Sequence, residues 1–136
     1  MSIRKDYIER LVEQFAAALA RLLKARQEKR FAEAAGLIRS TALDTLGMEY
    51  DALLMVDAAS TSRMLGDPMR VKILARLVAE DGELHQDQGD PRTATARFHY
   101  ALALYAESRA LGRPHDDEDA AVLTRLRAFL GPAARA

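Results

Sequence analysis

The stretch VAEDGELHQDQGDPRTATARFHYA, running from Val78 to Ala101, decides the fold by its spacing. Gly89 ends one periodic segment, because glycine reaches left-handed backbone without a steric penalty. Asp90 and Pro91 open the next one. A carboxylate caps the bare N–H groups, and proline follows at the first helical position, where its missing N–H does no harm. Two helix axes in tight contact need small residues where they come closest. Gly82 and Ala94 are placed to meet there, Phe98 one turn on covers the contact, and Ala101 leaves room for a following helix. The stretch predicts a helical hairpin.

The same grammar extends in both directions. Asp67-Pro68 starts the helix that leads to about Gln88, with Val71, Leu74, Ala75, Val78 and Gly82 on one side and Ile73, Leu77 and Leu84 on another. Two apolar sides predict a helix sandwiched between layers. Ala94, Phe98, Ala101, Leu102 and Tyr105 give the next helix its inward face, and Gly112-Arg113-Pro114 breaks it. Asp116 caps a last helix striped by Val122, Leu123, Leu126, Phe129 and Leu130, stopped by Gly131-Pro132, after which the final Ala-Ala-Arg-Ala frays.

Toward the N-terminus, Ile8, Leu11, Val12, Phe15, Leu19, Leu22 and Leu23 stripe a helix from about Arg4 to about Gln27. Phe31, Ala34, Ala35, Ile38, Ala42 and Leu46 stripe a second, which Gly47 ends. The short connection makes these two antiparallel neighbours. Met48 to Gly66 is a connector with short turns from Tyr50 to Val56 and a short helix capped by Asp57.

Composition agrees. The 136 residues suffice for a single domain, 1–136, and Ala, Leu and Arg are helix formers. No run alternates in the manner of a strand. A formal net charge of zero argues against nucleic acid as partner. The absence of cysteine excludes disulfides and thiolate metal sites. MSIRKDYIERLVEQ is charged too early for a secretory signal and no apolar run has membrane-spanning length, so the expectation is a cytoplasmic protein with no membrane partner.

Residues 78–101 resemble a tetratricopeptide repeat. Gly82 and His85 match its G-x-x-Y pair, and Ala94 and Phe98 its A-x-x-x-F pair. Val78, Asp81 and His85 depart from the usual Trp, Leu and Tyr, and the closing Pro is missing. Arg30-Phe31 with Ala34 and Ile38 echoes Asp90-Pro91 with Ala94 and Phe98, sixty residues apart where the repeat has roughly 34. The whole length is also similar to an uncharacterised bacterial family of short tetratricopeptide-like proteins, through Lys5-Asp6-Tyr7-Ile8 with Arg10, Glu13 and Gln14, and through Gly82 with Gln88-Gly89-Asp90. The resemblance implies an all-α, tetratricopeptide-like array of antiparallel hairpins, with about five main helices plus short connector helices.

Several clusters bear on chemistry. Arg21, Lys24, Arg26, Lys29 and Arg30 read as a solvated, cation-rich helix end. Glu80, Asp81, Glu83, Asp87 and Asp90 form an acidic strip, for which a solvated face is the plainer reading. If the repeat resemblance holds, Arg76, Ala79, Glu83, Gln86 and Asp87 face outward on the concave surface, and the acids there favour a cationic protein or peptide partner. His85 and His99 match no metal motif. Asp116 to Asp119 belong in a helix's first turn. Ser60-Thr61-Ser62 lies in no nucleophile motif and no Gly-rich phosphate loop exists.

The expectation is therefore a non-enzymatic adaptor or scaffold with no catalytic residue, metal or cofactor, binding partners through Arg76, Glu83, Gln86 and Asp87. The alternatives are a structural homo-oligomer packed through its first or last helix and, less favoured, a small-ligand-binding protein.

Overall fold

The structure, a computed structural model, describes residues 3–131. Every regular element among them is an α-helix: α1 Ile3–Gln27, α2 Phe31–Leu46, α3 Tyr50–Leu53, α4 Ala58–Leu65, α5 Pro68–Asp87, α6 Pro91–Ala110 and α7 Asp117–Leu130. The tail expected to fray lies outside the described residues. No helix among those described is long and apolar enough to cross a membrane. The chain divides into two compact units, Met1–Met55 and Val56–Ala136.

Helix ends fall where cap chemistry puts them. The Asp67 carboxylate accepts from the Met69 N–H at 2.8 Å, and that of Asp90 from the Thr93 N–H at 3.2 Å. At the other end of α2, Gly47 takes φ 70° and donates to the Leu43 carbonyl.

Three helices end in the same tight turn. The Arg30 N–H reaches back to the Ala25 carbonyl at 2.8 Å, Asp90 to His85 at 2.9 Å and Arg113 to Ser108 at 3.2 Å. Each turn needs one residue of positive φ just before the donor. Gly89 (78°) and Gly112 (103°) supply it at low cost, but in the first turn the residue is Lys29, at φ 60°. A side chain there costs roughly 1–2 kcal/mol, part of which glycine returns as extra freedom of the unfolded chain. Lys29→Gly is therefore expected to raise stability by about 0.5 kcal/mol, read as a higher urea midpoint. A lower midpoint would show that Lys29 does something else for the turn.

In the first unit α1 packs on α2, and α3 on α2. Leu11, Leu19, Leu22 and Ala25 of α1 are buried, as are Ala34, Ile38, Ala42 and Leu46 of α2. The expected stripe of α1 is thus confined largely to its C-terminal part. Val12 is 39% exposed and Tyr7 42%.

In the second unit α5 is buried on all sides from Met69 to Leu84, apart from half-buried Arg70 and Lys72, which the doubled apolar stripe required. α6 packs along its whole length, and α4 and α7 touch both. Gly82 faces the flank of α6. A β-carbon built on it would lie 2.5 Å from Phe98 Cε1 and 3.2 Å from Arg97 Cβ. The nearest residues are thus Phe98 and Arg97, not Ala94, whose own burial is complete. The glycine is a slot for a ring. Phe98 also stacks on Phe129 of α7, with centroids 4.9 Å apart. α4 is pinned by polar contacts: Tyr100 donates to the Val56 carbonyl at 2.9 Å and shares a hydrogen bond of 2.8 Å with Thr61.

Candidate functional site

The four residues expected to line a concave surface do not share one environment. Gln86 and Asp87 are exposed, near the end of α5. Arg76 and Glu83 are buried, at 9% and 5% exposure, and are not outward side chains. The acidic strip is likewise not a solvated face at Glu80, Asp81 and Glu83, which are all buried.

Burial of so much charge is tolerable only if each group finds an opposite one. Lys72, Arg76, Glu80 and Glu83 recur at helical spacing, on one stripe of α5. Lys72 Nζ reaches Asp116 at 2.8 Å and Asp119 at 3.1 Å, both at the start of α7. Arg76 bonds Glu80 through Nε at 2.8 Å and Glu118 through Nη1 at 2.5 Å. Arg125, further along α7, grips Glu83 at 3.0 Å and Glu80 at 3.4 Å. Charge sign reverses along both helices together. Numbers rise together on α5 and α7, so the two run parallel, and a one-turn slip or a reversal would oppose like charges.

A second set ties α5 to α6. Arg97 Nε donates to Asp81 at 3.0 Å, and His85 lies 3.4 Å from Asp81 and 3.5 Å from Asp90.

The electrostatics follow. Burial lowers the Arg76 pKa, but the Glu80 carboxylate outweighs it and the net shift is upward. Its bond to Glu83 holds Arg125 above its ordinary value, with burial opposing. Both remain guanidinium ions. Burial pushes the Tyr105 phenol far up, so it stays protonated. Arg76 and Arg125 thus stay charged opposite the carboxylates they pair with.

Asp116 is displaced the other way, to about 2 from an ordinary 3.8, first by the Lys72 ammonium and then by the Asp119 N–H. The latter belongs to a capping box in which Asp116 and Asp119 each accept the other's backbone N–H, as expected for acids in a first turn. Because Asp116 ionises more readily when folded, its stabilisation is full above 3.8 and is lost as pH falls through about 2. Its side chain is 55% exposed, so the effect is modest. The urea midpoints of the protein and of Asp116→Asn should differ near neutral pH and converge across that window. A constant difference would remove Lys72 as the cause.

Other candidates take part in local contacts. Ser60 hydrogen-bonds the Asp57 cap at 2.5 Å, while Thr61 and Ser62 are buried. Arg30 of the basic cluster pairs with Glu28 at 2.6 Å and with Glu33. Among the described residues no three His, Cys, Asp or Glu side chains converge as a metal site.

Sequence reasoning missed a different feature. Leu102, expected to face inward, is only half-buried, while Leu104 and Ser108 take the inward positions. Leu102, Ala106 and Ala110 recur every four residues and form a second apolar stripe, legible in the sequence by that period alone. With Leu123 and Arg127 of α7, and with Arg109 and His115, they line an open cleft of about 620 Å³. The His115 ring stands edge-on to Tyr105, with Nε2 placed 3.1 Å from the Tyr105 carbonyl, which fixes this wall. No protein-family model, curated protein or solved structure matches this chain.

Proposed function

We propose that this chain is a non-enzymatic, tetratricopeptide-like interaction module that acts in the cytoplasm and binds a protein or peptide. One observation carries the reading. The Arg76, Glu80, Asp81 and Glu83 side chains of α5 form internal ion pairs that tie it to α6 and α7, and beside them lies an open cleft between α6 and α7. Ion pairs of this kind hold helices in fixed register, which suits a scaffold. The α5–α6 hairpin, with Gly82 as the slot and Phe98 as the filling, supports the repeat-like arrangement.

The case for a cationic partner at Arg76 and Glu83 is weakened by the same pairing, because Arg125 already neutralises Glu83. Recognition is better served by surface outside the ion-pair ladder.

Chemical crosslinking in the native host followed by purification tests the module. The expected result is a defined polypeptide whose capture saturates and is lost on heat-unfolding the chain. Heat-sensitive turnover of a small molecule, with no saturable polypeptide partner, overturns the reading.

Self-association is a second reading, favoured by the apolar side chains that α1 exposes at Ile3 (87%), Tyr7 (42%) and Val12 (39%). Light scattering at high concentration decides it, and a strict monomer removes it.

A further inference from the structure

We propose that the cleft between α6 and α7 is a docking groove for a short amphipathic segment of a partner protein that carries carboxylates beside its apolar side chains. The inference rests on the binding-module reading and names that module's partner chemistry.

The floor is apolar and small-residued. Leu102, Ala106 and Leu123 line it, and Ala106 between larger neighbours leaves a hollow into which a leucine or phenylalanine fits as a knob. From Leu102 to Ala110 the stripe runs about 12 Å along α6, which is room for roughly two turns of a docked helix.

The rim is cationic. Arg109 and Arg127 line the cleft and no carboxylate does. The guanidinium groups at Arg76, Arg97 and Arg125, by contrast, are paired with acids. Among the described residues the Arg109 and Arg127 side chains have no ion-pair partner. Two guanidinium forks beside an apolar floor suit carboxylates spaced along a helix, which they grip in bidentate fashion. An anionic membrane is the poorer match, because a concave cleft with two cations presents little to a flat surface.

Fluorescence anisotropy with two labelled helical peptides of about ten residues tests the proposal. Both carry leucine at every third or fourth position, and the flanks are glutamate in one and lysine in the other. The glutamate peptide is expected to bind saturably and at least about tenfold tighter than the lysine peptide, with affinity falling as salt rises. Arg109→Glu with Arg127→Glu should reverse the preference. Both side chains are exposed, so the fold is expected to survive, and an unchanged thermal melt confirms it. Arg109→Gln with Arg127→Gln should weaken binding without reversing it. Equal binding of the two peptides, no binding of either, indifference to both double variants, or retention on anionic vesicles alone overturns the proposal. If the crosslinked polypeptide binds the charge-reversed variant as well as the parent, the cleft falls and the module stands. If no polypeptide is captured at all, the module itself falls.

Discussion

Phe98→Ala is expected to cost about 3–5 kcal/mol, most of the stability of a domain this size. The ring is 1% exposed, fills the space that Gly82 leaves, and stacks on Phe129. Its removal opens a cavity that three helices line, and α7 loses its aromatic anchor. The converse change is informative too. Gly82→Ala improves helix propensity by about 1 kcal/mol, yet it drives a β-carbon to within 2.5 Å of the ring. Overpacking of about 1–3 kcal/mol should win, because the ring is 1% exposed and Arg97 Cβ also crowds the new carbon at 3.2 Å. Combined with Phe98→Leu, the alanine should cost less than it does alone, since the two positions share one volume. Urea unfolding of the four proteins measures the coupling. Strict additivity, or stabilisation by Gly82→Ala alone, would mean that the glycine is not a slot.

Arg76→Ala should cost about 3 kcal/mol for an electrostatic reason. Glu80 has a fully buried side chain, and loss of Arg76 removes its 2.8 Å ion pair and leaves Arg125 at 3.4 Å. Glu118 also loses its partner, but it is 64% exposed and water replaces the bond. A buried carboxylate that has lost its 2.8 Å ion pair is what makes the single change severe. Arg76→Met together with Glu80→Leu removes both charges and should fall within about 1.5 kcal/mol of the parent. If the double change is as damaging as the single one, the ladder sets the register of α7 and is not merely tolerated.

The helices were legible because their ends are written in local chemistry. Asp57, Asp67, Asp90 and Asp116 each cap the helix that follows, and Gly47 and Gly131 each close one. Such signals involve neighbours in the chain and need no tertiary information. The misreadings all concern what a helix face meets. Lys72, Arg76, Glu80 and Glu83 are indistinguishable from a solvated stripe until α7 supplies Glu118 and Arg125 in parallel register. Burial of a charge depends on a partner many residues away, and charge runs alone carry no record of it. Leu102 went astray for a related reason. α6 has apolar residues on two sides, and periodicity does not say which side is covered.

The recurring turn that joins α1 to α2 and α5 to α6 also bears on how the chain is made. Each hairpin is closed by bonds spanning a few residues, so neither waits for a distant segment before it begins to form. Translation adds about 5–20 residues per second, whereas short helices and turns settle within microseconds. The ribosome therefore releases α1 and α2 seconds ahead of α5, long enough for the leading pair to hide its leucines from other nascent chains.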